Sequence, residues 1–128
     1  MSEELKRKGS EFNVDLTYLC DVASGSNEFM VEMIELFLIQ TPGYFEQLDQ
    51  LIEKGNWPRV ADIAHKIKPT LAFMGADSAR ESMAEIEQNA RDGKNLDKIA
   101  PAFKLLKDMS VELFTKLTEI KSELQKAC

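Results

Sequence analysis

The chain has 128 residues, of which 44% are hydrophobic and 30% are charged, a length and composition typical of one globular domain. Its 16 basic and 22 acidic residues give a net charge of -6, which argues against nucleic acid as a partner because nucleic-acid-binding proteins present a basic surface. No apolar run approaches the roughly 18 residues of a membrane span, and no secretory signal is evident, so we expect a cytoplasmic protein that does not associate with membranes.

The first part of the chain predicts a tail followed by a short helix. Residues 1–11 are polar and aperiodic, so we expect a flexible tail, and then a single domain over residues 12–128. Asn13 is a suitable N-cap and Gly25 a suitable end for this first helix. Its apolar positions follow helical spacing and are Leu16, Leu19, Cys20 and Ala23.

A second, longer helix is predicted from Ser26 or Asn27 to the stop at Gly55 and Asn56. Pro42 interrupts it, and proline costs about 3 kcal/mol in a helix interior. The helical phase nevertheless resumes afterwards, so the sequence predicts one kinked helix instead of two. The apolar positions of this helix are Phe29, Met33, Leu36, Phe37, Tyr44, Leu48, Leu51 and Ile52.

Three further helices are predicted in the rest of the chain. Asn56 caps the third helix, with Pro58 in its first turn. The third helix ends at Gly75, the fourth ends at Gly93, and the fifth begins near Asn95. The apolar positions of the third helix are Val60, Ile63, Ile67, Leu71 and Met74. Those of the fourth helix are Ala76, Ala79, Met83, Ile86 and Ala90. Those of the fifth helix are Leu106, Met109, Leu113, Leu117, Ile120 and Leu124. The predicted fold class is all-α, an up-down-up-down antiparallel four-helix bundle with a short additional N-terminal helix.

Few residues in the sequence could carry catalysis. There is no Gly-rich phosphate loop and no nucleophile elbow. Two cysteines cannot supply a Cys-based zinc site, and one histidine cannot supply the Glu-x-x-His pairs of a di-iron site. We therefore expect no enzyme activity, no cofactor and no metal, and we interpret Glu81, Glu85 and Glu87 as a solvated helix face.

The single histidine, His65, is the candidate for chemistry. At 100° per residue it lies about 160° from the apolar stripe of its helix, so we predict that it faces solvent. Its neighbours on that face are compact and would let another protein approach, and they are Ala61, Pro69 and Ala72. Lys68, one turn along, could offset the charge of a phosphoryl group on the imidazole. This arrangement favours a phosphoryl acceptor.

The segment AHKIKPTLAFMGA, from Ala64 to Ala76, resembles the A-H-x-[LI]-K-G-x-x-x-x-[LM]-G-A signature of histidine-containing phosphotransfer (HPt) domains. The helix layout from about Val14 to Gln125 is also similar to that family. The resemblance implies a phosphorelay intermediate: His65 would accept a phosphoryl group from an aspartyl phosphate of a receiver domain and pass it to another receiver. The implied partners are response-regulator receiver domains and a hybrid histidine kinase, with this chain a monomeric phosphocarrier that has no ATP-binding apparatus.

The resemblance also implies roles for residues near His65. Lys68 would be its electrostatic helper. Arg91 occupies the place of a basic residue that family members often have near the end of the fourth helix, although a cation there is equally explained by the helix dipole. Glu87 stands where some members have Gln, and its carboxylate is expected to repel a phosphoryl group.

The expected partner surface consists of Ala61, Pro69, Ala72 and Phe73. Pro69 departs from the family, which usually has Gly there as clearance for the receiver. The alternative function is therefore a binding-only helical bundle adaptor, either a relay-dead HPt homologue or an unrelated protein that binds a partner helix. A haem-binding bundle would need His65 to point into the core, against its helical phase.

Overall fold

The computed structural model describes residues 14–127, so the predicted tail and the predicted cap Asn13 lie outside the described residues. Within this range all regular structure is helical. The described chain forms five helices: α1 (Thr17–Val22), α2 (Asn27–Lys54), α3 (Trp57–Phe73), α4 (Asp77–Asp92) and α5 (Leu96–Ala127).

The four longer helices form the predicted bundle. Helix α2 packs against α3 and α5, and α4 packs against the same two helices, so the four close into a ring. Connections of two or three residues join successive members, which makes them antiparallel. The fold is all-α, an up-down-up-down four-helix bundle with α1 as the short additional N-terminal helix. None of the helices in the described range is long and apolar enough to cross a membrane.

Helix α2 is continuous through Pro42, as predicted. It is capped by Ser26, whose side chain accepts a hydrogen bond from the N–H of Phe29 at 3.2 Å. The predicted apolar face is partly wrong, because Phe29 and Leu36 are exposed. The buried positions of α2 are Met30, Ile34, Phe37, Thr41, Phe45 and Leu48. Apolar residues occupy almost every position between Phe29 and Ile39, so spacing alone does not define one face of this helix.

The predicted apolar stripes of α3 and α4 are buried in full. The buried residues of the α3 stripe are Val60, Ile63, Ile67, Leu71 and Met74, and the buried residues of the α4 stripe are Ala76, Ala79, Met83, Ile86 and Ala90. The Asn56 side chain caps α3 by accepting from the N–H of Arg59 at 3.4 Å, and Pro58 lies in the first turn. These two helices form a hairpin whose turn contains Gly75.

The chain crosses itself at Gly75. This residue has a φ of +66°, and a Cβ there would overlap the backbone carbonyl of Asp15. The N–H of Asp15 in turn donates to the carbonyl of Gly75 at 3.4 Å. Only glycine tolerates both the positive φ and the close approach, so this position fixes where the N-terminal segment meets the α3–α4 hairpin.

Helix α1 lies against the end of α3 as a result of this crossing. Leu19 is fully buried, and the ring of Tyr18 packs against that of Phe73 with centroids 5.2 Å apart. Asp15 stabilises the start of α1, since its Oδ1 accepts from the N–H of Thr17 at 3.0 Å. Cys20, predicted on the apolar face, is exposed instead.

Candidate functional site

His65 lies at the middle of α3 and projects away from the core. Its side chain is 64% exposed, which follows from its position opposite the buried stripe of the helix. Ala61, one turn earlier, was expected on the same accessible surface, and this expectation is wrong because Ala61 is fully buried. Ala61 lies two helical turns before Lys68 on the same side of α3, and Lys68 pairs with Glu87 of α4.

A buried carboxylate on α4 lies directly beside His65. Glu87 is only 7% exposed, so its interpretation as part of a solvated face is wrong, whereas Glu81 and Glu85 are exposed as predicted. Oε2 of Glu87 lies 3.1 Å from Nδ1 of His65. The two helices of the α3–α4 hairpin therefore meet at this contact.

Glu87 also forms ion pairs with Lys68 and Arg91, the two basic residues that the sequence analysis proposed as helpers. Its Oε1 forms an ion pair with Nζ of Lys68 at 2.6 Å. Its Oε2 accepts from Nε of Arg91 at 3.1 Å and pairs with a terminal nitrogen of the same guanidinium at 3.0 Å. The predicted residues His65, Lys68 and Arg91 are thus brought together, but through a carboxylate that the sequence analysis expected to be unfavourable.

Two opposing effects act on the ionisation of Glu87. Burial by itself would raise the pKa of this carboxyl group, because desolvation disfavours the charged form. Hydrogen bonds from Lys68 and Arg91, together with the positive charge of Lys68 and the charge that His65 carries when its ring is protonated, lower it by more, so that the net pKa lies below its ordinary value. Glu87 is therefore a carboxylate at neutral pH, and two full positive charges lie beside its single negative charge.

The contact with Glu87 fixes the tautomer of the imidazole. A carboxylate can only accept hydrogen bonds, so the Nδ1 atom of His65 must carry the proton and donate. In the neutral ring the lone pair then belongs to Nε2. Because most of the side chain is exposed, this nitrogen is available to an electrophile that approaches from solvent. The site presents an oriented nucleophile.

The surface around His65 includes Pro69, which is exposed, and Ala72 and Phe73, which are half-buried. Helix α3 continues through Pro69 to Phe73. Proline has no N–H, so the His65 carbonyl lacks its usual partner four residues along the helix. The hydroxyl of Thr70 donates to the carbonyl of Ile67 at 2.6 Å, a bond that stabilises the same turn.

An apolar groove lies beside this surface, between α2 and α3. It is lined by residues that include Leu36, Gln40, Tyr44 and Phe73. Leu36 is an apolar side chain of α2 that the core does not cover. Among the residues that the structure describes, no group of three or more His, Cys, Asp or Glu side chains could hold a metal ion.

Comparison with known proteins identifies the family to which this geometry belongs. The sequence profile of the Hpt domain family matches residues 32–126. The chain belongs to the Hpt domain family. The fold of this Hpt domain is similar to the crystal structure of histidine-containing phosphotransfer protein B (HptB) from Pseudomonas aeruginosa PAO1, with a TM-score of 0.79 and 15% sequence identity. The similarity covers 86% of this chain and 95% of that chain. No curated protein matches the sequence.

Glu87, like Ala61, is a residue that the sequence analysis assigned wrongly, although the helical phase of Glu87 indicates its burial. It follows Met83 by four residues and precedes Ala90 by three, and both of these belong to the buried stripe of α4. Residues at those spacings share one side of a helix. A carboxylate on the edge of an apolar stripe, facing a helix with Lys68 and His65, indicates an ion-pair cluster.

Proposed function

We propose that this Hpt domain is a phosphorelay intermediate whose His65 accepts a phosphoryl group at Nε2 and passes it on. The donor is the aspartyl phosphate of a receiver domain, and a second receiver accepts the group. The observation that carries this proposal is the Glu87 contact at 3.1 Å, which occupies Nδ1 and leaves Nε2 as the exposed nucleophile.

The transfer balances without a cofactor from this chain. The Nε2 lone pair attacks phosphorus, the P–O bond of the aspartyl phosphate breaks, and the receiver carboxylate leaves with the bonding electrons. The imidazole becomes a cation that keeps its Nδ1 proton, and Glu87 accepts from that N–H. Lys68 lies one helical turn from the ring, where its charge can attract the incoming phosphoryl oxygens.

The docking surface for a receiver is proposed to consist of Pro69, Ala72 and Phe73, extended by Tyr18 of α1. Pro69 is exposed and Tyr18 packs on Phe73, so these side chains form a continuous apolar area beside His65. Ala61 is not part of this proposed surface, because its side chain is fully buried. A hybrid histidine kinase is the proposed origin of the phosphoryl groups, and the chain itself is proposed to have no kinase activity and to act in the cytoplasm.

The test is phosphoryl transfer to a His65→Gln variant. A radiolabelled phosphorylated receiver should label the wild-type chain with an acid-labile phosphate and leave His65→Gln unlabelled. Lys66→Gln is the matched control, because Lys66 is the exposed neighbour of His65, and it should be labelled normally. Far-UV circular dichroism should be the same for all three proteins, since His65 makes little contact with the core. Persistent acid-labile labelling of His65→Gln would contradict the assignment.

A further inference from the structure

We propose that the outward face of α2 binds a basic amphipathic helix of a partner protein. This α2 face consists of the exposed side chains of Phe29, Leu36 and Ile39, together with the exposed carboxylates of Glu28 and Glu32. The inference goes beyond the proposed function and does not depend on it, because none of these residues belongs to the phosphoryl site or to the proposed receiver surface.

The first half of α2 is more apolar than its place in the bundle requires. Nine of the eleven residues from Phe29 to Ile39 are apolar, and the two exceptions are Glu32 and Glu35. A helix that is apolar on all sides is ordinarily covered on all sides. In this structure α2 packs mainly against α3 and α5, which leaves its outer side open. The composition therefore indicates a neighbour that the isolated bundle lacks.

The exposed apolar residues lie together on this outer side. At 100° per residue, Phe29, Leu36 and Ile39 fall within about 80° of one another, and their mean direction is about 150° from that of the buried positions. Ile39 is 75% exposed, the highest value among the large apolar side chains of the described chain. Leu36 also borders the groove between α2 and α3, whereas Phe29 and Ile39 do not line it. The α2 face thus extends beyond that groove.

The charges on α2 specify the chemistry of the partner. Lys54, in the last turn, is the one basic residue of this helix. The acidic residues of α2 are Glu28, Glu32, Glu35, Glu46, Asp49 and Glu53. Glu35 and Asp49 pair with lysines of α5, but Glu28 and Glu32 form no ion pair with any residue that the structure describes. Lysine or arginine side chains of a partner would supply the missing positive charges.

The carboxylates lie along one edge of the α2 face. Glu28, Glu32 and Glu35 are spaced by three and four residues, so they share one side of the helix. They line a shallow pocket with Val31 and with Gln125 of α5. The helix dipole favours a carboxylate in the first turn, which accounts for Glu28 alone. A bound amphipathic helix would place its apolar side on the exposed apolar residues and its basic side at this pocket.

Two other occupants fit the charge of the α2 face less well. A second copy of this chain would bring the same acidic face and a net charge of -6. Residues 1–13 of the chain itself contain three basic and three acidic side chains, so they carry no net side-chain charge. A basic helix of another protein therefore matches this face best.

The test uses a fluorescein-labelled peptide of leucine and lysine, arranged to form an amphipathic helix, and measures its binding by fluorescence anisotropy. A peptide with glutamate in place of lysine is the charge control. The variants of the α2 face are Ile39→Gln and Glu32→Lys. Their matched controls are Val111→Gln, which changes an exposed apolar residue of α5, and Glu81→Lys, which changes an exposed carboxylate of α4.

We expect Ile39→Gln to weaken binding of the lysine peptide about tenfold, because the apolar contact is lost. Glu32→Lys should weaken it about three- to tenfold, since it replaces an attraction with a repulsion. Both control variants should bind like wild type, and the glutamate peptide should not bind. Ile39→Gln should still be labelled by phosphorylated receivers at the wild-type rate. Far-UV circular dichroism should be the same throughout, because every changed side chain is exposed.

The inference would be overturned if wild type did not bind the lysine peptide, if Ile39→Gln bound it as tightly as wild type, or if Val111→Gln lost as much affinity as Ile39→Gln. A wild-type dimer in sedimentation that Ile39→Gln converts to a monomer would make a second copy the occupant instead.

Two further results would assign the α2 face to other occupants. Tighter peptide binding by a chain with Lys6→Gln, Arg7→Gln and Lys8→Gln together would assign it to the N-terminal residues of the chain itself. Slower labelling of Ile39→Gln by phosphorylated receivers would assign it to the receiver. The proposed function fails by a different result, namely a wild-type chain that no phosphorylated receiver labels, and the peptide measurement needs no receiver.

Discussion

Replacing Gly75 by alanine should displace α1 from the α3–α4 hairpin. The new methyl group would overlap the carbonyl of Asp15, which is backbone and cannot rotate aside, at a residue whose φ is +66°. Two costs follow. The left-handed conformation costs an alanine about 1 to 2 kcal/mol, and loss of the fully buried Leu19 side chain from the core costs about 2 kcal/mol more.

Gly93→Ala is the matched control for this substitution. Gly93 has a φ of +65°, almost the same as Gly75, but a Cβ there meets nothing within 4 Å. Gly93→Ala should therefore lower the free energy of unfolding only by the cost of placing an alanine in the left-handed conformation, about 1 to 2 kcal/mol. The difference between the two variants isolates the collision with Asp15.

Urea unfolding followed by far-UV circular dichroism gives the free energy of unfolding for each variant. We expect Gly75→Ala to be about 2 kcal/mol less stable than Gly93→Ala, and amide exchange in α1 to be faster in Gly75→Ala alone. Equal stability of the two variants would show that the N-terminal segment can move away from Gly75 without loss, and would refute the idea that this crossing holds α1 in place.

Three further results are expected. Lys68→Ala should raise the activation barrier for phosphoryl transfer to His65 by about 1 to 3 kcal/mol, which slows transfer roughly 5- to 150-fold, and Arg91→Ala should slow it by less. A wild-type rate for Lys68→Ala with several receivers would remove the helper role of Lys68. Pro69→Gly should change receiver affinity by less than about tenfold without abolishing transfer, and a variant that alone gained transfer would favour the relay-dead alternative for the native chain. Because the folded pKa of Glu87 is lowered, its charge stabilises the fold above the unfolded value near 4.3 and this contribution disappears as pH falls through the lowered value. The stability advantage of wild type over Glu87→Gln in urea titrations should therefore shrink as the pH falls below the unfolded value, and a constant advantage would contradict this.

Periodicity predicted the helices well wherever one face alone is apolar. The stripes of α3 and α4 alternate with charged and polar positions, so the buried residues followed directly from spacing. In α2 the apolar residues surround the helix, and the choice between Phe29 and Met30 as a core position depends on which neighbours pack there. Spacing within one helix contains no information about those neighbours.

The features of the site that depend on a single helix were also predictable from the sequence, whereas those that depend on packing between helices were not. The outward position of His65 and the nearness of Lys68 follow from one helix, and both are present in the structure. The burial of Glu87 and the loss of Ala61 from the surface depend on how α4 lies against α3. The effect of a carboxylate on a phosphoryl site depends on its charge partners, and Lys68 and Arg91 became known as partners of Glu87 only in the folded chain.

The polar groups of the site all belong to one hairpin, because His65 and Lys68 lie on α3 while Glu87 and Arg91 lie on α4. The neighbouring apolar surface includes Phe73 of α3, and it also has contributions from α1, through Tyr18, and from α2, through Leu36. The proposed chemistry is thus confined to one hairpin, whereas the apolar surface beside it combines side chains of that hairpin with side chains of α1 and α2. If the proposed function holds, sequence changes in α1 and α2 would alter which protein docks while the charge arrangement around the histidine stays intact, so relatives with the same hairpin would diverge in partner without diverging in reaction.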